Sequence, residues 1–202
     1  MRIDFTSVIG QKPIIAILRG MEWDVARPIA YDVWKARVGI VEIPLQSDAS
    51  ERLFVRLAEL ASEMGEVVGA GTVISRDGVV RARQLGAAFT ISPGFDPDVM
   101  KSSLDLGMPH LPGVATPSEV QAAMNLGATW MKVFPADALG PEWFTALAGP
   151  FPEASFVATG GIDSRNAAAF IEAGARALGV GSSLGRPGEI GRLTAAIAGA
   201  DR

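Results

Sequence analysis

Cysteine is absent from this 202-residue chain, and histidine and tyrosine each occur only once. Disulfides, a thiol nucleophile and thiolate metal sites are therefore excluded. The absence of cysteine is typical of a reducing compartment, so we expect a cytoplasmic protein. Zinc sites need three or four ligands, often several of them histidine. We therefore expect no metal, although carboxylates and substrate oxygens leave magnesium open, and we interpret His110 as a core or lining residue.

Long apolar runs and basic runs are also missing. No stretch approaches the roughly 20 apolar residues of a membrane span, and residues 1–6 lack the order of a signal peptide. The net charge of −4 argues against nucleic acid as the main partner. Hydrophobic residues make up 49 % of the chain, enough for a large core. We expect a soluble protein that binds neither membranes nor nucleic acid.

Short apolar runs alternate with amphipathic segments along the whole chain. The predicted strands are Ile14–Leu18, Ile40–Pro44, Val67–Gly71, Phe89–Ser92, Met108–Pro112, Thr129–Phe134, Ser155–Thr159 and Ala177–Gly181. The predicted helices cover about 24–37, 50–63, 76–85, 96–106, 117–126, 141–149, 164–173 and 187–199. Periodicity places Val55, Ala58, Leu60 and Ala61 on one face of the second helix.

Eight strand–helix units predict a (β/α)8 barrel, since strands buried on both faces read as continuous apolar runs. The competing fold is a doubly wound open sheet, but the loop after the first strand lacks the glycine-rich nucleotide motif. A short helix at about residues 4–10 is expected to plug the bottom of the barrel. No linker interrupts the chain, so residues 1–202 are predicted to form a single domain.

Lys132 lies inside the apolar stretch 129–135 (TWMKVFP). Lysine is rarely fully buried, and burial can lower its pKa by up to ~3–5 units, which favours a free amine able to attack a ketone. Glu42 lies in a similar stretch, 40–44 (IVEIP). Two readings stay open for each: Lys132 extends to solvent at a strand end or acts as a nucleophile, and the two form a structural ion pair or a nucleophile–base pair.

Other polar and glycine-rich positions also fall at predicted strand ends, where barrel enzymes place their sites. The glycine-dense loops after strands seven and eight predict a phosphate site on backbone N–H groups. Arg19, after the first strand, offers a planar fork for a carboxylate. Thr72, after the third strand, is a candidate hydroxyl donor to the same pocket.

With these residues assembled, the chain resembles the class I 2-keto-3-deoxy-6-phosphogluconate (KDPG) and -phosphogalactonate (KDPGal) aldolases over nearly its full length. The matching stretches are 15–20 (IAILRG), 42–45 (EIPL), 68–73 (VGAGTV), 92–94 (SPG), 112–113 (PG), 132–136 (KVFPA), 159–162 (TGGI) and 181–182 (GS). The resemblance implies a homotrimeric (β/α)8 enzyme without a metal or other cofactor. Its reaction would cleave a phosphorylated keto-deoxy sugar acid to pyruvate and glyceraldehyde 3-phosphate.

The resemblance also implies a role for each matching residue. Lys132 would be the Schiff-base lysine and Glu42 the general acid and base. The residues that would hold pyruvate and its carboxylate are Arg19, Thr72, Pro93 and Phe134. Those that would hold the phosphate are Gly160, Gly161, Gly181 and Ser182.

The branch of the family is read from a few positions. Arg19-Gly20 and 42–45 (EIPL) are similar to the galactonate branch, but that branch continues with Asn-Ser where this chain has Gln46-Ser47. Stretches 92–94 (SPG) and 158–162 (ATGGI) are similar to the gluconate branch. We expect the galactonate substrate, with its C4 epimer or 4-hydroxy-2-oxoglutarate as alternatives. Remoter alternatives are a metal-assisted pyruvate aldolase, another phosphate-binding barrel enzyme such as an isomerase, or a non-catalytic binding module.

Overall fold

The computed structural model describes residues 5–200 of the chain. Within this range the strands are Ile14–Ile17 (β1), Gly39–Pro44 (β2), Val68–Gly71 (β3), Thr90–Ile91 (β4), His110–Leu111 (β5), Gly113–Val114 (β6), Trp130–Val133 (β7), Ser155–Thr159 (β8) and Ala177–Val180 (β9). The helices are Thr6–Ile9 (α1), Trp23–Lys35 (α2), Asp48–Met64 (α3), Arg76–Gln84 (α4), Pro97–Asp105 (α5), Pro117–Asn125 (α6), Ala136–Leu139 (α7), Pro141–Ala148 (α8), Ala167–Glu172 (α9) and Glu189–Ala200 (α10).

The nine strands form one parallel sheet in the order β5-β4-β3-β2-β1-β9-β8-β7-β6. Its two ends, β5 and β6, are separated only by Pro112, so a single stretch of chain joins them. Proline has no N–H to donate, which splits the predicted fifth strand, but the Pro112 carbonyl still accepts from Lys132 N at 2.8 Å. The sheet therefore closes into an eight-stranded barrel, in which β5 and β6 together take the place of one strand. The (β/α)8 prediction is confirmed, and the doubly wound alternative is wrong.

Several predicted boundaries need correction. The fourth strand is only Thr90–Ile91, the helix expected at 164–173 is Ala167–Glu172, and α7 was not predicted. The apolar face expected on the predicted helix 50–63, which is α3, is confirmed only in part. Ala61 is buried and Ala58 and Leu60 pack against the core, but Val55 is 41 % exposed. The other buried positions of α3 are Leu53, Phe54 and Leu57. Residues 1–4 and 201–202 lie outside the described range, so the 1–202 domain boundaries stay a prediction.

Side-chain caps fix the start of the helices that follow β2, β3 and β6. Ser47 accepts from Ser50 N, Ser75 from Gly78 N, and Thr116 from Glu119 N. Each cap satisfies a backbone donor that has no partner inside its helix. The caps thereby fix where each loop at the carboxyl ends of the strands meets its helix.

The barrel interior has two layers of inward-facing side chains. The lower layer, at the amino ends of the strands, is one apolar cluster: Phe5, Ile9, Ile15, Ile40, Phe89, Ile91, Leu111, Val157 and Ala177. Phe5 and Ile9 come from α1 and its cap, and Trp130 Nε1 donates to Thr6 Oγ1 at 2.9 Å. The expected N-terminal plug is therefore confirmed for Thr6–Ile9, while residue 4 of the predicted helix lies outside the described range.

The upper layer follows from the two-residue period of a strand, which returns a side chain to the same face. Two residues beyond Ile40 is Glu42, and two beyond Trp130 is Lys132. β2 and β7 lie four strands apart around the eight-stranded barrel. The carboxylate and the amine therefore face each other across the interior, at the end where barrel enzymes carry their sites.

Candidate active site

Lys132 and Glu42 are both buried and point at one another. Their side chains are 6 % and 1 % exposed, and Lys132 Nζ lies 3.9 Å from Glu42 Oε1. This separation is an ion pair but too long for a direct hydrogen bond. The side chain of Lys132 does not extend to solvent, so the solvent-exposed reading is wrong.

Glycines on the neighbouring strands leave the room that these polar groups occupy. A Cβ added to Gly71 would lie 2.5 Å from Glu42 Oε2, and one added to Gly179 would lie 2.3 Å from Thr159 Oγ1. Real side chains do not approach so closely, so any larger residue at position 71 would displace the carboxylate. Gly71 therefore determines where the Glu42 carboxyl group lies.

The surroundings of Glu42 favour its neutral form. Burial raises the pKa of its carboxyl group, while the positive charges of Lys132 and Arg19 oppose that rise. Among the described residues, Oε2 has no hydrogen-bond partner. A buried carboxyl group with a raised pKa and an unused oxygen is suited to taking up and giving back a proton.

A cavity of about 260 Å³ opens above Lys132 at the carboxyl ends of β1, β7, β8 and β9. Its wall contains Arg19, Lys132, Phe134, Gly160, Gly161, Gly181 and Ser182. Phe134 is 39 % exposed, and the centroid of its ring lies 5.5 Å from Lys132 Nζ. The structure thus brings the residues predicted for phosphate to the same cavity as the predicted nucleophile.

Arg19 is hydrogen-bonded to both Thr72 and Gln46. Arg19 Nη2 donates to Thr72 Oγ1 at 3.2 Å, and Arg19 Nη1 donates to Gln46 Oε1. Thr72 has a φ of 57°, a left-handed conformation that is unusual for a β-branched residue. Such strain is commonly found at functional sites, and here it accompanies the contact with Arg19. Arg19 and Gln46 also both line a second cavity of about 410 Å³.

Three predicted site residues do not line the 260 Å³ cavity. Glu42 and Thr72 each contact a residue that does line it, Lys132 and Arg19 respectively. The third is Pro93. It follows β4, where its backbone passes so close to Gly113 that a Cβ at 113 would lie 2.2 Å from the Pro93 carbonyl. Pro93 therefore lies against the junction of the split strand.

Sequence reasoning missed a charged network behind the glycine loops. Ser164 N donates to Glu189 Oε1 at 2.8 Å, and Arg186 Nη1 donates to Asp163 Oδ2 at 3.1 Å, so the loop after β8 is tied to the loop after β9. Hydrogen bonds from Arg165 hold the pKa of Asp163 far below its usual range. No short-range pattern shows the tie between the two loops, because Arg186 lies 23 residues after Asp163 and Glu189 lies 25 residues after Ser164.

Known proteins share the sequence pattern and the fold of this chain. Residues 5–194 match the family of KDPG and KHG aldolases. The chain belongs to this family. A probable 2-dehydro-3-deoxy-6-phosphogalactonate aldolase of Rhizobium meliloti (strain 1021) is 36 % identical over 179 residues, covering 88 % of this chain and 84 % of the relative.

A second relative and a solved structure are similar to this chain over most of its length. The KHG/KDPG aldolase of Escherichia coli (strain K12) is 30 % identical over 79 % of this chain and 75 % of its own length. A solved structure described as native KDPGal is 33 % identical, covers 94 % of both chains and superposes with a TM-score of 0.80. The protein is therefore an aldolase, a carbon–carbon lyase, with the barrel fold of its family.

Metal-ligand clusters and membrane-spanning helices are both absent from residues 5–200. This part of the chain contains no group of three or more histidine, aspartate or glutamate side chains placed to hold a metal ion. None of its helices has both the length and the hydropathy to cross a bilayer.

Proposed function

We propose that this aldolase cleaves 2-dehydro-3-deoxy-6-phosphogalactonate to pyruvate and D-glyceraldehyde 3-phosphate through an imine on Lys132. The observation that carries the proposal is the buried amine of Lys132, which lines the cavity and lies 3.9 Å from the carboxyl group of Glu42. The name of the Rhizobium relative supports the galactonate substrate. The small-molecule partner is thus a phosphorylated keto acid.

The first stage forms the imine. The free amine of Lys132 attacks the C2 ketone, and one proton of the attacking nitrogen passes to the C2 oxygen to give a neutral carbinolamine. Glu42 donates the proton with which that hydroxyl leaves as water. The raised pKa of Glu42 favours the protonated acid that this step requires. The product is a protonated imine, which is a strong electron sink.

The second stage breaks the C3–C4 bond. Glu42, now a carboxylate, takes the proton of the C4 hydroxyl, and the electrons of the C3–C4 bond flow to the imine to give an enamine. Glyceraldehyde 3-phosphate leaves with the new C4 aldehyde. Protonation of C3 and hydrolysis of the imine then release pyruvate and restore Lys132.

Two groups of residues would bind the ends of the substrate. Arg19 and Thr72 would take the carboxylate, with Phe134 and Pro93 packing against the pyruvate part. Backbone N–H groups of Gly160, Gly161, Gly181 and Ser182 would take the phosphate, for which glycine allows a close approach.

The C4 epimer, 2-dehydro-3-deoxy-6-phosphogluconate, is the second candidate substrate, and 4-hydroxy-2-oxoglutarate is the third. The stretch 158–162 (ATGGI) is similar to the gluconate branch, and the Escherichia coli relative is named for both substrates. Cleavage rates on the two epimers, measured side by side, will decide. A kcat/KM for the gluconate epimer above that for the galactonate epimer would reverse our assignment.

Reductive trapping tests the imine. Borohydride added with pyruvate should reduce the imine to a stable secondary amine, and peptide mass spectrometry should locate it on Lys132. Lys101→Ala, which removes an exposed lysine on α5, is the matched control and should still be trapped. Full activity with an unmodified Lys132 would exclude this route, and activity that collapses with a chelator and returns with a divalent ion would select the metal-assisted alternative.

The remaining expectations concern the assembly and its place in the cell. We propose a homotrimer, for which sedimentation should give three times the mass of the chain. We also propose a cytoplasmic enzyme of sugar-acid degradation, supported by the absence of cysteine. Cell fractionation is the direct measurement.

A further inference from the structure

Gln46 has a side chain that contacts Arg19 and a backbone that is fixed on both sides. Leu45 N donates to Gly71 O at 3.0 Å, which extends the ladder between β2 and β3. Gln46 N donates to Ser50 Oγ at 3.0 Å, in the first turn of α3. The backbone at Gln46 is therefore held in place, and its side-chain oxygen accepts from Arg19 Nη1.

Arg19 has far less support of its own. Leu18 N donates to Glu42 O at 3.0 Å, which fixes the chain just before Arg19, but the Arg19 side chain is exposed. A long side chain at such a place would sample many rotamers. Gln46 and Thr72 accept two of its five guanidinium N–H groups, which leaves three for another acceptor.

We propose that Gln46 is a positioning residue that holds the guanidinium of Arg19 in the orientation that receives the carboxylate of pyruvate and of the keto-acid substrate. This inference rests on the proposed function, in which Arg19 binds that carboxylate. The choice of an amide has a physical reason. A neutral oxygen orients the guanidinium and leaves its charge available, whereas a carboxylate at position 46 would compete with the substrate for it.

The kinetic consequence is specific. The carboxylate keeps its contact with Arg19 before, during and after bond cleavage, so loss of that contact weakens ground state and transition state alike. Such a loss raises KM and leaves kcat nearly unchanged. A variant that disturbed the fold or the Lys132–Glu42 pair would instead lower kcat.

The experiment measures borohydride trapping of the full-length enzyme as a function of pyruvate concentration. For Gln46→Ala, the half-saturating pyruvate concentration should rise about three- to tenfold, the effect of one net hydrogen bond, with the same maximal trapping rate. Gln46→Glu should shift it further. The matched control is Gln84→Ala, since Gln84 also accepts from an exposed arginine, Arg81, but on α4. It should change nothing.

A second background separates positioning of Arg19 from direct contact with the ligand. In Arg19→Met, half-saturation should already be high, and adding Gln46→Ala should have no further effect. An unchanged half-saturation in Gln46→Ala alone would overturn the inference, as would an equal shift with and without Arg19. Failure of wild-type Lys132 to be trapped at any pyruvate concentration would instead refute the proposed function, so the two outcomes are distinguishable.

Discussion

Glu42 and His110 are two buried titratable groups of the same barrel. Each has one atom with no hydrogen-bond partner among residues 5–200, Oε2 in Glu42 and Nε2 in His110. Glu42 points inward, next to the amine of Lys132. His110 points outward from β5, where Nδ1 lies 2.7 Å from Thr90 Oγ1, and that oxygen lies 2.6 Å from Ser103 Oγ of α5. Burial favours the neutral form of both, raising the pKa of Glu42 and lowering that of His110 to about 4.

The difference lies in what surrounds the unpartnered atom. Ser103 Oγ donates to Met108 O at 3.0 Å, so a chain in which His110 Nδ1–H donates to Thr90 and Thr90 donates to Ser103 satisfies every hydrogen. Nε2 is then a bare acceptor, which costs less than a buried unpaired N–H. Glu42 instead faces the amine of Lys132, which lines a cavity. Burial alone therefore does not mark a functional group, whereas burial beside a second ionisable group that borders an open space does.

The largest effect should come from removing the amine. Lys132→Met should lower kcat on the order of 10⁶-fold, as loss of a covalent nucleophile does, because no imine can form. Thermal unfolding should show a folded protein, since Glu42 can remain neutral once its partner is gone. Substantial residual cleavage would place the chemistry elsewhere and remove the contrast with His110.

Removing only the proton carrier should cost less. Glu42→Gln keeps the shape but cannot exchange a proton, so kcat should fall about 10²–10⁴-fold. The pH dependence of kcat that Glu42 causes should disappear with it. His110→Gln, the matched change in the outward-facing cluster of Thr90, Ser103 and His110, should leave kcat within a fewfold of wild type. Equal losses in the two variants would contradict the assignment of roles.

A smaller change can displace the carboxylate without removing it. Gly71→Ala would bring a Cβ to 2.5 Å from Glu42 Oε2, and the end of that flexible side chain should move away. A misplacement of about 1 Å can cost on the order of 10²-fold, so we expect a loss of kcat up to that size. Gly149→Ala, where the structure leaves open space, is the control for the same substitution. Equal activity of the two variants would show that the position of Glu42 is not critical.

The outward-facing cluster should make the free energy of unfolding depend on pH. His110 is the only histidine, and its pKa in the fold is lowered from 6.5 to about 4. The unfolded chain therefore binds more protons between these values, so stability is full above pH 6.5 and is lost as the pH falls. Linkage gives a loss of about 2 kcal/mol between pH 7.5 and pH 5.

Urea unfolding of wild type and His110→Gln at several pH values measures this contribution. The subtraction is needed because Glu42 acts in the opposite direction: its raised pKa gives stability that is present at low pH and lost as the pH rises. His110→Gln should be the less stable protein at pH 7.5, and the difference should shrink by pH 5. A difference that stays constant with pH would mean that His110 does not titrate as its surroundings require.

Much of the site was readable because it depends on local patterns. A charged residue in an apolar run, as in 129–135 (TWMKVFP), is visible without coordinates, and two-residue alternation then puts Lys132 on the inward face. The glycines at 160, 161 and 181 stood at strand ends in an eightfold unit. Other features depend on distant partners: the contact of Gln46 with Arg19, the space at Gly71, and the ties of Asp163 and Glu189 to the opposite loop.

The sequence by itself determined the eight strand–helix units and the presence of an amine and an acid in apolar strands, because these follow from hydrophobic periodicity. Only the tertiary structure decided that β2 and β7 face each other, that Pro112 divides a strand without opening the ring, and which buried titratable group has a charged partner. Closure of the barrel brings together residues ninety positions apart, and no local pattern encodes the distance between two side chains that meet across its interior.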